Sequence, residues 1–218
     1  MGTPRTPADE RPLPEPPVRG RPPSTTRHRI QEIATEMFAA QGYDAVTIDA
    51  LADAAGIGRR TFFRYFPTKA DALMADFDRD VVRLSAALRS SDPDLTIMDA
   101  LRRAVGEVSS APDQDFAGQR LRLELQSGNP ALLANSLVHY ERWQGVVAEF
   151  AAERLGQSAD ALLPQVIARA AFGAVLAGYS SWQDDATGEL APKLDAALAA
   201  LAAGFDNLTP RPQPEGPA

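Results

Sequence analysis

Apolar side chains recur at helical spacing through most of the chain between residues 24 and 208. The first such run has the i, i+3, i+4, i+7, i+8 pattern of a helix that buries one face: Ile30, Ile33, Ala34, Met37 and Phe38. Glycine and proline fall at the ends of these runs, and the alternation typical of strands is nearly absent. The sequence therefore predicts an all-α protein of about nine helices.

One segment departs from helical spacing. Leu121, Leu123 and Leu125 alternate with charged residues at the two-residue period of a strand. No neighbouring segment has the pattern of a pairing strand, and Leu121 and Leu125 are also spaced as neighbours on one helix face. We therefore expect a helix here too, buried on more than one side.

The two ends of the chain have a different composition. Residues 1–23 hold eight of the eighteen prolines and almost no large apolar side chain, and residues 209–218 are similar. Such segments cannot bury enough apolar surface to offset the entropy lost on ordering. We expect a disordered arm over 1–23 and a disordered tail over 209–218.

Several classes of chemistry lack the residues they need. The chain has no cysteine, and its two histidines, His28 and His139, lie far apart, which excludes disulfides and thiolate metal sites and leaves almost no ligands for a histidine metal site. No glycine-flanked serine nucleophile or phosphate loop is visible. We expect no catalytic residue, no metal and no cofactor; the alternative is an enzyme, such as a helical thioesterase, that uses an apolar cavity.

The sequence also indicates where the protein resides. No apolar run approaches the roughly 20 residues that a membrane span needs. The first residues carry charges and prolines where a signal peptide has an apolar core. Both observations favour the cytoplasm and no membrane partner.

Residues 47–73 have the order helix, glycine turn, helix, proline and new helix: TIDALADAAGIGRRTFFRYFPTKADAL. Two short helices joined by a glycine-containing turn form a helix-turn-helix, whose second helix enters the DNA major groove. Arginine can bond a guanine with two parallel hydrogen bonds, whereas hydroxyls and other cations reach phosphates. The predicted DNA contacts are Thr47, Arg59, Arg60, Thr61, Arg64, Tyr65 and Lys69. The alternatives are a solvated face on a core helix, or a helical scaffold without DNA binding.

The charge distribution agrees with a double-stranded DNA partner. The net charge is −7, but residues through Lys69 hold ten basic and eight acidic side chains, whereas the remainder holds twelve and twenty-one. A mildly basic module, at +2, therefore precedes an acidic body, at −9. We predict a DNA-binding domain over residues 24–70 and a larger helical domain over residues 71–208.

The helix-turn-helix residues resemble the DNA-binding signature of TetR-type transcriptional regulators, notably in Ala55–Gly56–Ile57–Gly58, Tyr65–Phe66 and Lys69. The resemblance implies an all-helical homodimeric repressor with a three-helix DNA-binding domain and a ligand-binding, dimerising domain. Phe63 departs from it, because the family commonly has a tyrosine there whose hydroxyl touches phosphate.

A narrower resemblance covers most of residues 20–205. The segments GRRTFFRYFP, HYERWQGVVAEFAAERLG and AFGAVLAGYSSW are similar to the regulators of mycofactocin biosynthesis clusters. Such regulators repress neighbouring redox-cofactor genes, and members of the group respond to long-chain acyl-CoA. A TetR-type regulator of another operon with a different hydrophobic effector is the alternative.

Arg19–Gly20–Arg21–Pro22, at the end of the arm, resembles the core of an AT-hook. Flexible arms that carry arginine can enter the minor groove beside a major-groove helix. The alternative is a solubilising tail with incidental arginines.

The last two predicted helices, roughly 160–184 and 189–208, favour self-association. The helix over 189–208 carries a seam of large apolar residues at alternating spacings of four and three. The helix over 160–184 is apolar on every side, with small residues among the large ones. Packing inside one protomer explains either helix alone, but both together predict a dimer. The predicted interface residues are Phe172, Val175, Tyr179, Leu194, Leu198, Leu201 and Phe205. A symmetric dimer implies a palindromic operator.

A small-molecule effector requires a few polar groups among apolar walls. The residues predicted to bind it are Arg120, Arg122, Glu124, His139, Tyr140, Trp143 and Phe172. For an acyl-CoA, Arg120, Arg122 and Arg142 would meet the phosphates. The alternatives are an exposed ion pair between Arg120 and Glu124, a core position for Trp143, and a surface position for His139.

Overall fold

The computed structural model describes residues 27–185 and 188–204, and this part of the chain forms ten α-helices and no strand. The helices are α1 (Arg27–Gln41), α2 (Ile48–Ala54), α3 (Arg59–Tyr65), α4 (Lys69–Leu73), α5 (Ala75–Arg89), α6 (Ile97–Ser109), α7 (Phe116–Gly128), α8 (Pro130–Leu155), α9 (Leu162–Gln183) and α10 (Leu190–Ala203). The prediction of an all-α fold is confirmed, including a helix across the alternating leucines. The predicted arm, the tail and Phe205 lie outside the described residues.

Local signals in the sequence explain where the short helices begin and end. The Thr47 side chain accepts a hydrogen bond from the Ala50 amide at 3.1 Å, which caps α2. Thr68 and Asp71 form a capping box at the start of α4, each side chain bonded to the other's backbone amide. Gly56 follows α2 with a φ of +66°, a left-handed conformation that glycine adopts without strain.

The apolar spacing predicts one continuous helix from Thr68 to about Ser90, but the structure has two helices there, which meet at Met74. The Met74 side chain is buried in one apolar core, whereas those of its neighbours, Leu73 and Ala75, are buried in another. The break in the helix, at a Met74 φ of −90° and ψ of 1°, thus coincides with the point where adjacent side chains enter separate cores. This break corrects the predicted helix number from about nine to ten in the described residues.

The two cores divide the protein into a head, α1–α4, and a body, α5–α10. Three aromatic side chains with no exposed surface, Phe38, Phe62 and Phe66, fill the head core. The body core is formed by α5, α6, α8, α9 and α10. Leu132, near the start of α8, packs in the head core, so α8 reaches from the body into the head.

Helix α9 has the length and composition of a membrane-spanning helix, alone among the described helices. Pro164 and Arg169 interrupt the apolar run, so the sequence contains no uninterrupted apolar stretch of about 20 residues. A core helix of a water-soluble protein passes the same test. Here α9 packs against α8 and α10, and a third of its most apolar stretch is buried.

Close packing between α9 and α10 depends on Gly178. A Cβ atom there would lie 2.9 Å from Leu194 Cδ2 and 3.1 Å from the Lys193 carbonyl oxygen. We predict that Gly178→Ala lowers the free energy of unfolding by about 1–3 kcal/mol, because backbone must move to admit the methyl group. Urea denaturation measures this.

Gly106→Ala is the matched control, because no atom lies within 4 Å of the added Cβ in α6. This variant should be as stable as the parent protein, or more stable by up to about 1 kcal/mol, since alanine favours a helix over glycine. Equal effects of the two substitutions would contradict the close approach at Gly178.

Candidate functional site

The helix-turn-helix of the head is held from beneath by apolar side chains. Phe62 on α3 and Leu51 on α2 have no exposed surface. The turn between these helices is closed by hydrogen bonds from the Gly56 amide to Asp53 and from the Ile57 amide to Ala52, at 3.0 and 2.9 Å. Because one side of α3 is buried, its other side is fixed in position and faces solvent.

The exposed side of α3 carries three guanidinium groups, those of Arg59, Arg60 and Arg64. Arg60 makes no hydrogen bond or ion pair with the part of the chain that the structure describes. The Arg64 guanidinium stacks 5.2 Å from the centroid of Tyr65. Two of the three arginines therefore keep their hydrogen-bond donors available for an external partner.

Arg59 is held by a residue that the sequence analysis missed. Its Nη1 lies 2.7 Å from both carboxylate oxygens of Asp49 on α2, and its guanidinium lies 5.4 Å from the Phe63 ring centroid. Asp49 is an acidic residue in the first turn of α2, a position that also suits the helix dipole, so the sequence carries no distinct signal of this pairing. The pair leaves the other guanidinium nitrogens of Arg59 for a ligand.

The remaining predicted DNA contacts occupy varied positions. Thr47 is exposed, but its side-chain oxygen already caps α2. Thr61 and Tyr65 are half-buried on α3. The Lys69 ammonium donates to the carbonyl oxygens of Tyr43 and Val46 at 2.7 and 3.0 Å, so it ties the α1–α2 loop to α4.

The body encloses a cavity of about 40 Å³. Its walls are mostly apolar and include Phe77, Leu84, Val105, Trp143, Val175 and Leu194. Four polar side chains, those of Asp80, Ser109, Gln114 and Gln119, also line it, and the Ser109 hydroxyl donates to the Val105 carbonyl oxygen of its own helix. The volume holds a water molecule, whereas pockets for drug-sized ligands measure about 300–1,000 Å³, so a larger ligand has to open this cavity.

Four of the predicted effector residues lie at or near this cavity. Trp143 lines it, and Phe172 lies behind, with its ring centroid 5.2 Å from Trp143 and 5.0 Å from Tyr140. Arg122 is buried, and its guanidinium lies over the rings of two cavity residues, Phe77 and Tyr179, at 5.4 and 6.0 Å. Arg122 is therefore a cation close to the cavity wall.

The other three predicted effector residues lie elsewhere. Glu124 is exposed and does not line the cavity, because its side of α7 faces solvent. Arg120 donates to the carbonyl oxygens of Trp182 and Asp185 at 2.9 and 3.0 Å and so caps the end of α9. The alternative of an exposed pair between these two residues is not what the structure contains, because the Arg120 guanidinium faces α9.

His139 is fully buried, contrary to its alternative surface position, but it lies away from the cavity lining. Its Nδ1 is 2.7 Å from Asp78 Oδ1 on α5. Its Nε2 is 3.3 Å from Asp71 Oδ1 on α4, without hydrogen-bond geometry. The imidazole thus joins α8 to both helices at the junction between head and body.

Asp80 is a cavity residue that the sequence analysis missed. Burial raises its pKa to about 6, and the hydrogen bond from Gln114, with the charges of Arg79 and Arg83, opposes that rise. A signal was available in the sequence, because Asp80 lies three residues after Phe77 and four before Leu84, on the apolar face of α5. An acidic residue on a buried face marks an unusual site.

The predicted dimer seam belongs to the protomer's own core. Four of its residues, Phe172, Val175, Leu194 and Leu198, pack in the body core with little or no exposed surface, and Tyr179 and Leu201 pack partly buried against it. The four buried side chains therefore have little surface to offer a second protomer, whereas Tyr179 and Leu201 keep part of theirs exposed. The opposite side of α9 instead exposes apolar residues, among them Val166 and Leu176.

Both halves of the chain match family models. Residues 30–75 match the model described as "Bacterial regulatory proteins, tetR family", and residues 95–206 match the one described as "MftR C-terminal domain". A protein of Mycobacterium tuberculosis named as a mycofactocin biosynthesis transcriptional regulator, MftR, is 35% identical over 189 residues, 87% of this chain and 96% of that protein. The transcriptional regulator TcmR of Streptomyces glaucescens is 30% identical over 66% of this chain and 67% of its own.

Solved structures share the fold. Thermus thermophilus FadR, a transcriptional repressor in complex with lauroyl-CoA, superposes with a TM-score of 0.55 at 21% identity, over 88% of this chain and 100% of that one. SmeT, the repressor of a Stenotrophomonas maltophilia multidrug efflux pump, has a TM-score of 0.55 at 21% identity, over 87% and 98%. At 21% sequence identity, these similarities show only that the helices are arranged in the same way.

The buried carboxyl of Asp80 makes stability depend on pH. Its pKa of about 6 in the folded protein exceeds the value of about 4 in an unfolded chain, so the folded state binds this proton more tightly. The resulting stabilisation is present below pH 4 and is lost as the pH rises through 6. Asp80→Asn should match the parent protein at pH 4 and exceed its free energy of unfolding by roughly 3 kcal/mol at pH 8.

Asp113→Asn provides a control of opposite sign. The hydrogen bond from Arg83 lowers the pKa of Asp113, so this carboxylate stabilises the folded state above its unfolded pKa and ceases to do so as the pH falls. This variant should lose stability at pH 8. Urea denaturation across pH 4–8 measures both, and a pH-independent difference for Asp80→Asn would contradict the assignment.

Proposed function

The chain belongs to the TetR family of bacterial transcriptional regulators and carries an MftR-type C-terminal domain, and from this premise we propose that it is a homodimeric repressor that leaves a palindromic operator when an apolar effector binds its body. Proteins of this family are DNA-binding regulators rather than enzymes. The cytoplasm is the compartment where this function places it.

The exposed arginines of α3 carry the proposal. A helix of this size, held from beneath and bearing Arg59, Arg60 and Arg64 on its outer side, fits the major groove. Arg60 is the strongest base-reading candidate, because its donors have no partner among the described residues and arginine matches the N7 and O6 acceptors of guanine. Asp49 supports a role for Arg59 by holding its guanidinium at the helix start.

Charge supports the orientation on DNA. The residues through Lys69 carry a net +2 and the remainder a net −9, so the duplex is attracted to the head and repelled by the body. Phe63 cannot donate to a phosphate, so Arg64, Thr61 and Tyr65 supply the phosphate contacts in this proposal. Lys69, which is bonded to carbonyl oxygens, acts by fixing the loop between α1 and α2.

We propose mycofactocin biosynthesis genes as the regulated set and a long-chain acyl-CoA as the effector. The MftR relative, which covers most of this chain, supports the first. The apolar cavity with Arg122 beside it supports the second, since an acyl chain needs apolar walls and the CoA phosphates need cations. A TetR-type regulator of another operon, with a different hydrophobic effector, remains the second candidate, favoured by the presence of Asp80 in the cavity.

The exposed face of α9 is the proposed dimer interface. Val166, Gly173 and Ala177 lie on this side at spacings of seven and four, with Leu176 beside Ala177, and a second copy of α9 and α10 can cover them. Small residues there permit close approach of the two helices. A two-fold axis then presents two α3 helices to half-sites separated by about 34–36 Å, or a multiple of that distance.

We predict that Arg60→Ala weakens binding to the specific operator by roughly 10- to 100-fold, because each arginine–guanine pair contributes about 1–3 kcal/mol of discrimination. Arg103→Ala, on the exposed side of α6 in the body, should bind within about twofold of the parent protein. Fluorescence anisotropy at fixed salt with operator and scrambled duplexes measures both. Full sequence preference in Arg60→Ala would refute the base-reading role.

A second prediction concerns the oligomer. Leu176→Arg should convert a dimer into a monomer, because a guanidinium would have to be desolvated at the centre of the α9 face. Leu133→Arg, at an exposed leucine of α8 outside that face, should remain dimeric. Light scattering after size exclusion distinguishes the two species, and a dimeric Leu176→Arg variant would exclude this face.

A further inference from the structure

The body cavity contains a chain of three side-chain amide and carboxyl groups with a defined direction. Gln114 Nε2 donates to Asp80 Oδ1 at 3.0 Å and to the Val108 carbonyl oxygen at 2.7 Å. Gln119 Nε2 donates to Gln114 Oε1 at 2.5 Å. Asp80, Gln114 and Gln119 all line the cavity.

The Val108 carbonyl fixes this direction. A backbone carbonyl oxygen can only accept, so the group of Gln114 that faces it has to be the NH2 group. Gln114 then presents its Oε1 to Gln119, so Gln119 has to donate from its own NH2 group. The orientation of both amides is therefore set by the backbone, whichever protonation state Asp80 adopts.

The hydrogen-bonded series of Asp80, Gln114 and Gln119 ends at Gln119 in an unpaired acceptor. Gln119 is 94% buried, with 6% of its surface exposed, and its Oε1 has no hydrogen-bond partner among the described residues. A buried acceptor without a donor costs about 1–3 kcal/mol. At the other end lies the Asp80 carboxyl, which also accepts when ionised. Both ends of this hydrogen-bonded series, Gln119 Oε1 and the Asp80 carboxylate, are thus acceptors on the cavity wall.

From this arrangement we infer that the effector is an apolar molecule that carries a hydrogen-bond donor, a hydroxyl or an amide N–H, which binds Gln119 Oε1 while its apolar part opens the cavity between the helices. This inference rests on the proposed effector role of the body and specifies the ligand's polar group. A free carboxylate does not fit, because it brings a further acceptor and a negative charge toward Asp80. In an acyl-CoA, the donors that meet this requirement are the pantetheine amide N–H groups, the first of which is two carbons beyond the thioester sulfur.

A matched pair of probes tests the donor. 1-Octanol and 1-methoxyoctane each have an eight-carbon chain that ends in one oxygen atom. Only the hydroxyl of the alcohol can donate a hydrogen bond, because the ether oxygen carries no hydrogen. Titration calorimetry on the full chain without DNA should find octanol bound at least about tenfold more tightly than the ether, and octanoate no more tightly than the ether. Equal binding of alcohol and ether, or no binding of the alcohol, overturns the inference; in the latter case the cavity holds water alone.

Substitutions test whether Gln119 causes the preference for octanol over the ether. Gln119→Leu should bring the two affinities within about twofold, because the acceptor is gone, whereas Gln144→Leu, at a half-buried glutamine outside the cavity lining, should keep the tenfold preference. A preference that survives Gln119→Leu overturns the assignment. The comparison of alcohol with ether on the unmodified protein stands even if Gln119→Leu fails to fold.

The outcome is distinguishable from that for the proposed function. Operator binding is measured separately, on the protein without probe. If the protein prefers octanol but binds no operator, the donor-binding site is supported and the proposed regulatory function is refuted. If the protein binds the operator but does not prefer octanol over the ether, the regulatory function is supported and the requirement for a donor is refuted.

Discussion

The buried imidazole of His139 constrains how the head meets the body. It lies on α8 between Asp71 of α4 and Asp78 of α5, with no exposed surface of its own. A buried polar group that loses its partner costs about 1–3 kcal/mol, so the Nδ1–Asp78 hydrogen bond holds α8 to α5, while Asp71 of α4 lies 3.3 Å from Nε2. Asp71 also belongs to the capping box of α4, which couples the start of that helix to the same contact.

This junction links the cavity to the exposed arginines. Helix α5 lines the cavity with Phe77 and Asp80 and continues through the break at Met74 into α4 of the head. Helix α8 lines it with Trp143, one turn beyond His139. In the proposed mechanism a ligand that opens the cavity moves α5 and α8, which His139 keeps in contact with α4, and thereby changes the spacing of the two α3 helices. Such coupling between sites is typically about 1–3 kcal/mol, enough to change operator affinity 5- to 150-fold.

Local signals predicted most of the fold and of the DNA-reading surface. Capping threonines, the glycine turn and the proline after α3 act within a few residues, so Thr47, Gly56 and Pro67 sufficed to delimit the helices. The partner of an apolar face is not a local property. Leu194 and Leu198 have the spacing of an intermolecular seam, yet they face the core of their own protomer. The pairing of Arg59 with Asp49 depends in the same way on how α2 packs against α3.

The central claim is that a symmetric pair of α3 helices reads a DNA sequence. Selection of random duplexes by the full-length protein at about 150 mM salt tests it most directly, because phosphate contacts alone do not discriminate among sequences. The account predicts enrichment of a two-fold symmetric motif with a guanine in each half-site that Arg60→Ala no longer selects. Recovery of unselected sequence, or of a motif unchanged by Arg60→Ala, would contradict it.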